Sequence, residues 1–210
     1  MKSKAPLQIV IIDDLIQRGD YKLVNVLDIA YGEANVHLFP NVKEGKQFIK
    51  QNLHLKTIVL LDIMFNGKKQ GLSVFDEIIE KSNLVCFIIM TGNMEKLEKR
   101  ELIKLINGHA WSIVQRDESL TNIQEVIHKA ALHLTTRVDS ALEEWILWHS
   151  PQDQAKPYLK TRSGQTYSLL DILHSLRNGG DLGTEMAEGI LKLTIDLLAR
   201  NKEQITDKTK

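Results

Sequence analysis

Carboxylates that end short apolar runs are the residues of this 210-residue chain best placed to do chemistry. Asp13 and Asp14 close the run 7–12, and Asp62 closes the run 57–61. The hydroxyl of Thr91 follows the run 84–90, and the run 110–114 leads into Gln115, Arg116 and Asp117. If these runs are neighbouring parallel strands, three carboxylates, a hydroxyl and a cation meet at one sheet edge. Clustered carboxylates repel one another unless a hard divalent cation sits among them, and Mg²⁺ accepts such oxygens together with several waters. One carboxylate can then act as a nucleophile towards phosphorus. The hydroxyl and the cation would stabilise charge on the transferred phosphoryl oxygens. Taken singly, each residue has a plainer reading. An acidic pair often caps a helix, Thr91 can be a turn hydroxyl, and Arg116 can be a surface charge.

The elements that must position these residues alternate regularly. Runs 7–12, 35–39, 57–61, 84–90 and 110–114 are short and rich in Ile, Val and Leu, the pattern of strands buried on both faces of a parallel sheet. Between them lie helical patterns: one ending near Gly32, then 42–51, 72–80 and 94–106. Five β–α units with right-handed crossovers predict a doubly wound α/β sandwich, a (βα)5 fold. Ligands of such sheets bind outside the carboxyl ends of the strands, where strand order reverses.

A last helical pattern opens near Glu118 and meets no stop signal before Pro151. Ile123, Ile127, Ala130, Leu134, Val138, Ala141, Trp145 and Trp148 recur at steps of three or four. One helix of that length spans roughly 45 Å at 1.5 Å per residue, so its far half needs another partner. Ile127, Leu134, Val138, Trp145 and Trp148 are therefore expected to form an interface, either with their counterparts in a two-fold dimer or with the final helix of the same chain. Beyond Pro151, residues 158–167 read as a hairpin turning at Gly164. Ser168 and Asp171 form a capping box for a helix ending at Gly179 and Gly180. Thr184 is a candidate cap for a final helix over 185–200. The expected division is a first domain over 6–135 and a mainly α-helical segment over 136–210.

Bulk properties exclude several classes. Lys and Arg number 27, as do Asp and Glu, so charge predicts neither nucleic acid nor an anionic membrane as partner. The single cysteine, Cys86, excludes an intrachain disulfide framework. The apolar run 9–12 is too short for a signal or spanning segment, and a cytoplasmic protein is expected. Seven histidines show no metal-binding spacing.

The pieces Ile9-Val10-Ile11-Ile12-Asp13-Asp14, Val59-Leu60-Leu61-Asp62-Ile63-Met64, Gly71-Leu72 and Ile88-Ile89-Met90-Thr91-Gly92 occur in one order. Together they resemble the receiver domain of response regulators, the CheY-like fold of two-component signalling, over residues 6 to about 130. The resemblance implies that Asp62 is the phosphoacceptor. It implies Mg²⁺ held by Asp13, Asp14, Asp62 and the backbone carbonyl of Met64, with Asp13 acting mainly through water. Thr91 would hydrogen-bond the phosphoryl group, and Arg116 would stand where the family carries lysine, Gln115 being the neighbouring choice. The implied role is a phosphorelay switch, not an enzyme. Its partners would be a sensor histidine kinase or a histidine phosphotransfer protein, and a downstream protein target read through the C-terminal segment. Three departures accompany the resemblance: Arg116 itself, Ile113 at the usual aromatic position, and a loop before Gly71 that is longer and lacks proline. Arg116 and Ile113 support the alternative of a pseudo-receiver that keeps the fold without productive phosphorylation.

Overall fold

The computed structural model describes residues 6–19, 22–92 and 94–200. It divides into two compact units, Met1–Thr136 and Arg137–Lys210. The boundary lies one residue from the expected one.

The first unit contains strands β1 (Gln8–Ile12), β2 (Val36–Phe39), β3 (Thr57–Leu61), β4 (Val85–Thr91) and β5 (Ser112–Gln115). All pair in parallel, in the order β2-β1-β3-β4-β5. Helices α1 (Lys22–Tyr31), α2 (Val42–Gln51), α3 (Gly71–Ile78), α4 (Lys99–Asn107) and α5 (Leu120–Thr136) alternate with the strands. The doubly wound (βα)5 fold predicted from the apolar runs is therefore the one observed. Strand alternation sorts the core into two layers. Ile9, Ile11, Ile58, Leu60, Ile88 and Met90 pack with Leu23, Val24 and Leu27 of α1 and with Ile123, Ile127, Ala130 and Leu134 of α5. Val10, Ile12, Val59, Leu61, Phe87 and Ile89 pack on the other side with Ile49, Val74, Phe75, Ile78 and Leu105. Strands β1, β3 and β4 are buried along their whole lengths, whereas β2 and β5 form the half-covered edges.

Several element bounds differ from expectation. The pattern over 94–106 is a 3₁₀ turn, Met94–Lys96, followed by α4, which starts at a Glu98–Glu101 capping box. Residues 110–114 yield a strand beginning only at Ser112.

The long helix is the main correction. α5 ends at Thr136, Arg137 is extended (φ −70°, ψ 135°), and α6 (Val138–Leu147) begins afresh. Two adjacent β-branched residues supply the reason. The Thr136 hydroxyl donates to the Leu132 carbonyl at 2.9 Å, and that of Thr135 to Ala131 and Leu132 at 2.9 Å. Such back-bonding bends and weakens a helix. The Arg137 Nε then pairs with Asp139 Oδ1 at 2.8 Å in the first turn of α6. The expected interface stripe is divided with it. Ile127 and Leu134 are buried in the first unit's core, and Trp145 packs against the core of the second. Val138 is half-buried, and of the five only Trp148, at 57%, is exposed.

The second unit continues with a short helix α7 (Pro151–Gln154), absent from the sequence reading, whose N-cap is Ser150. The hairpin β6 (Pro157–Lys160) and β7 (Thr166–Ser168) and helix α8 (Leu169–Arg177) follow as expected. Ser168 and Asp171 form the predicted capping box. Helix α9 (Asp181–Arg200) starts earlier than expected, so Thr184 lies inside it, its hydroxyl donating to the Gly180 carbonyl. Leu142, Ile146, Leu169, Ile172, Leu173 and Leu176 form this unit's core. An ion pair between Arg177 Nη2 and Oε1 of the buried Glu143, 2.9 Å, ties α8 to α6.

Ile172 is fully buried in that six-residue core. Truncating a buried aliphatic side chain costs about 2–5 kcal/mol. Ile172→Ala should therefore lower the unfolding free energy of the second unit by a comparable amount, read from the fall in its denaturant midpoint. The Trp145 indole resonance, from the same cluster, reports that transition.

Candidate functional site: an acidic pocket at the sheet's switch point

Strand order reverses between β1 and β3, and the carboxyl ends of these strands carry the aspartates. Parallel register places Ile12 beside Leu61, so the next residues, Asp13 and Asp62, leave adjacent strands side by side. The Asp62 N–H donates to the Ile12 carbonyl at 2.9 Å, which extends the pairing to the nucleophile candidate itself. Across β4, Thr91 pairs with Gln115, and the Arg116 N–H donates to the Thr91 carbonyl at 3.0 Å.

The side chains converge as the spacing predicted. Asp13, Asp14 and Asp62 each offer an oxygen within 4.8 Å of the others. Arg116 Nη2 lies between two of them, 2.6 Å from Asp13 Oδ2 and 2.7 Å from Asp62 Oδ2. Arg116, not Gln115, is thus the cation of the site, and Gln115 is exposed. Backbone amides hold the remaining oxygens. Leu15 N–H donates to Asp13 Oδ1 at 2.8 Å and Met64 N–H to Asp62 Oδ1 at 3.3 Å. Thr91 is buried at the end of β4, and the next residue, Gly92, lines the pocket. A Cβ at Gly92 would meet nothing closer than Arg116 Cβ at 4.0 Å, so there is open space beside the glycine. The pocket is a cleft of about 230 Å³ lined by Asp14, Asp62, Met64, Asn66, Gly92 and Arg116, among others.

Two features of the β3–α3 loop go beyond the sequence analysis: a turn that it missed, and the steric role of a glycine that it named. Phe65 and Lys68 exchange backbone hydrogen bonds of 2.9 Å around Asn66 (φ 48°) and Gly67 (φ 73°). That is a two-residue hairpin turn, and the Asn-Gly pair is its strongest sequence signal. The turn aims the Asn66 N–H at Asp14 Oδ2, 3.2 Å away. The second feature is Gly71, at the start of α3. A Cβ there would lie 2.0 Å from the Asp62 carbonyl oxygen, so the glycine is what lets α3 begin directly against the residue that bears the carboxylate.

Burial raises the Asp13 carboxyl to about 6 from an ordinary 3.8, with Asp62 and Asp14 adding to the rise and Leu15 N–H and Arg116 opposing it. Burial also raises Asp62, against the Met64 amide and Arg116. One guanidinium thus leaves the buried acids under-compensated. Three hard carboxylate oxygens within 4.8 Å of one another, two of their groups raised, are a donor set that fits a small divalent cation.

The first unit is therefore a doubly wound α/β sandwich of receiver, CheY-like, topology with an acidic pocket at its switch point. No family model matches the chain, and no curated protein matches it. Solved structures similar to it include a CheY-like receiver domain protein from Methanospirillum hungatei JF-1. It has 18% identity and a TM-score of 0.49, over 60% of this chain and 93% of that one. A receiver domain protein from Clostridium thermocellum has 15% identity and a TM-score of 0.46, over 61% and 97%. The N-terminal domain of a Wolinella succinogenes protein has 17% identity and a TM-score of 0.47, over 62% and 97%. Among the described residues no helix is long and apolar enough to cross a membrane.

The pKa shifts set a sign for pH dependence. Both folded-state values lie above the unfolded one, so the folded protein holds more protons between about pH 4 and pH 6 and loses stability as pH rises through that window. For Asp13 the difference amounts to about 3 kcal/mol. In the presence of a chelator, the denaturation midpoint should fall between about pH 4 and pH 6. Asp13→Asn should flatten that slope and raise stability at the upper end, as read by denaturant titration at each pH.

Proposed function

We propose that the first unit is a phosphoaccepting receiver, with Asp62 as the acceptor. The observation that carries this reading is the convergence of Asp13, Asp14 and Asp62 on Arg116 at the carboxyl edge of the sheet. In the proposed reaction, an Asp62 oxygen attacks the phosphorus of a phosphohistidine on a sensor kinase or phosphotransfer partner. The O–P bond forms as the N–P bond breaks, and the departing imidazole nitrogen takes up a proton. Asp14 and Asp62, with Asp13 behind them, would hold Mg²⁺, and the Met64 backbone would complete the set. Bound there, Mg²⁺ supplies positive charge that offsets both carboxylate repulsion and the charge of the phosphoryl group.

The chain's own groups have distinct tasks. Backbone amides of Leu15, Met64 and Asn66 fix the carboxylates, and Gly92 leaves the space a phosphoryl group needs. Thr91 would donate to a phosphoryl oxygen. Arg116 would exchange its hold on Asp62 for phosphoryl oxygens, for which a guanidinium fork is well shaped. The phosphorylated state then acts as a switch and not as a turnover enzyme, with the second unit as the segment read by a downstream protein.

Labelling with a small phosphodonor such as acetyl phosphate in Mg²⁺ tests the acceptor. Asp62→Asn should abolish base- and hydroxylamine-labile incorporation, and persistence of that label in the variant would remove Asp62 from the role. Asp14→Ala should abolish saturable Mg²⁺ shifts of the Asn66 and Gly92 amide resonances. Arg116→Ala should keep the label but lose most of the phosphorylation-induced amide shifts. A charged hydrogen bond of this kind is worth about 1.5–3 kcal/mol, a ten- to hundredfold change in the switching equilibrium. Gln115→Ala should behave as wild type.

A further inference from the structure

Helix α9 is twenty residues long and its neighbour α8 only nine. Leu182, Met186 and Ile190 of α9 pack against the second unit's core. Past Ile190 the helix remains apolar but is uncovered: Leu191, Leu193, Ile195, Leu197 and Leu198 are between 47% and 58% exposed. At 100° per residue, Leu193 and Leu197 continue the Met186–Ile190 stripe, while Leu191, Ile195 and Leu198 extend it around the helix. The apolar arc exceeds half the circumference, more than a single packed neighbour covers.

We propose that this half of α9 is a self-association surface, with a second copy of the same chain as its occupant, the two helices crossing antiparallel about Thr194. The inference is independent of the phosphoacceptor reading.

Three observations favour a second copy. The first is area. Five half-exposed aliphatic side chains present on the order of 400 Å² per chain, and doubling that by symmetry approaches the roughly 1,000 Å² a specific interface needs, before backbone and flanking atoms are counted. The second is charge. The polar face carries Glu188, Lys192 and Asp196, with Lys192 paired to Glu188 at 3.1 Å. A helix built for an anionic lipid surface carries an excess of Lys and Arg on that face, and this one does not. A partner of strong opposite charge finds no field to follow, whereas a surface without excess charge does not repel its own copy. The third is the residue at the centre of the arc. Thr194 is short, and its hydroxyl donates to the Ile190 carbonyl at 2.8 Å. Two backbones can approach there without burying an unsatisfied donor. In an isologous pair the residue on the axis meets itself, and Thr194 can do so without cost in charge.

Sedimentation of the full chain across a dilution series tests the proposal. Wild type should show a concentration-dependent dimer. Leu193→Glu with Leu197→Glu, both at exposed positions, should weaken association by about a hundredfold or more while the thermal melt stays unchanged. Under mild oxidation Thr194→Cys should form a covalent dimer and Leu191→Cys should not, because an antiparallel crossing carries Leu191 away from its copy. A wild-type monomer at every concentration overturns the proposal. So does a dimer that survives the double substitution, or efficient self-linking at Leu191, which marks a parallel pair. A monomer that co-sediments with phosphatidylglycerol vesicles overturns it in favour of a lipid surface.

Discussion

The first unit is organised around an electrostatic constraint: three carboxylates held within 4.8 Å of one another at the end of a buried sheet, with one guanidinium among them. Removing acids from water penalises their charged form, and mutual repulsion adds to the penalty. The fold meets that cost with fixed donors instead of mobile ones. Three backbone N–H groups and the Arg116 Nη2 reach the carboxylates, and each belongs to a segment that immediately follows a strand. The compensation remains incomplete, because Asp13 and Asp62 both stay raised. A pocket in that condition favours whatever brings further positive charge, whether a proton or a hard cation.

Everything that precedes the pocket in the chain makes this concentration of charge affordable. β1, β3 and β4 are buried on both faces, so their ends are held rigidly and in register. One residue of slip in β3 would turn Asp62 to the opposite face of the sheet. Gly71 has a comparable importance at the other end of the loop. Any larger residue would push α3 away from the Asp62 carbonyl, and the turn over Asn66 and Gly67 would lose its base. The Lys69 Nζ, 2.6 Å from Glu101 Oε2, ties the same loop to the first turn of α4. Pocket wall and neighbouring helix are thereby joined by an ion pair.

How much of this was legible in the sequence follows from the range of the interactions concerned. The five strands and the meeting of Asp13, Asp14, Asp62 and Arg116 could be read because runs such as 57–61 and 84–90 are apolar without interruption and stop at a polar residue. That pattern leaves a parallel sheet and one functional edge as the consistent outcome. The choice of Arg116 over Gln115 needed the structure, since it turns on where β5 stops relative to β4. The break at Arg137 was hidden because apolar periodicity runs straight through it. Its causes are the local bonding of two threonine hydroxyls and of Arg137 with Asp139, which periodicity does not register. The Asn66–Gly67 hairpin, in contrast, was readable in principle. Its Asn-Gly pair was passed over because no strands of ordinary length flank it.

An arginine in this place behaves differently from a lysine in one respect that matters for the pocket. Lysine can shed its proton when burial makes the charge costly, but a guanidinium stays charged throughout the range in which proteins are folded. Adjustment to pH therefore falls on the acids, and the raised Asp13 is the group that takes it up. Geometry adds a second difference. A guanidinium has five N–H donors in a fixed plane, yet one nitrogen, Nη2, serves both Asp13 and Asp62, while Nε is buried without an acceptor among the described residues. A buried donor left unsatisfied costs about 1–3 kcal/mol. The arrangement around Arg116 is thus held by one strong shared contact at the expense of another donor. An acceptor-rich group arriving beside Asp62 would compete with Asp13 for a fork that is already charged and only partly used.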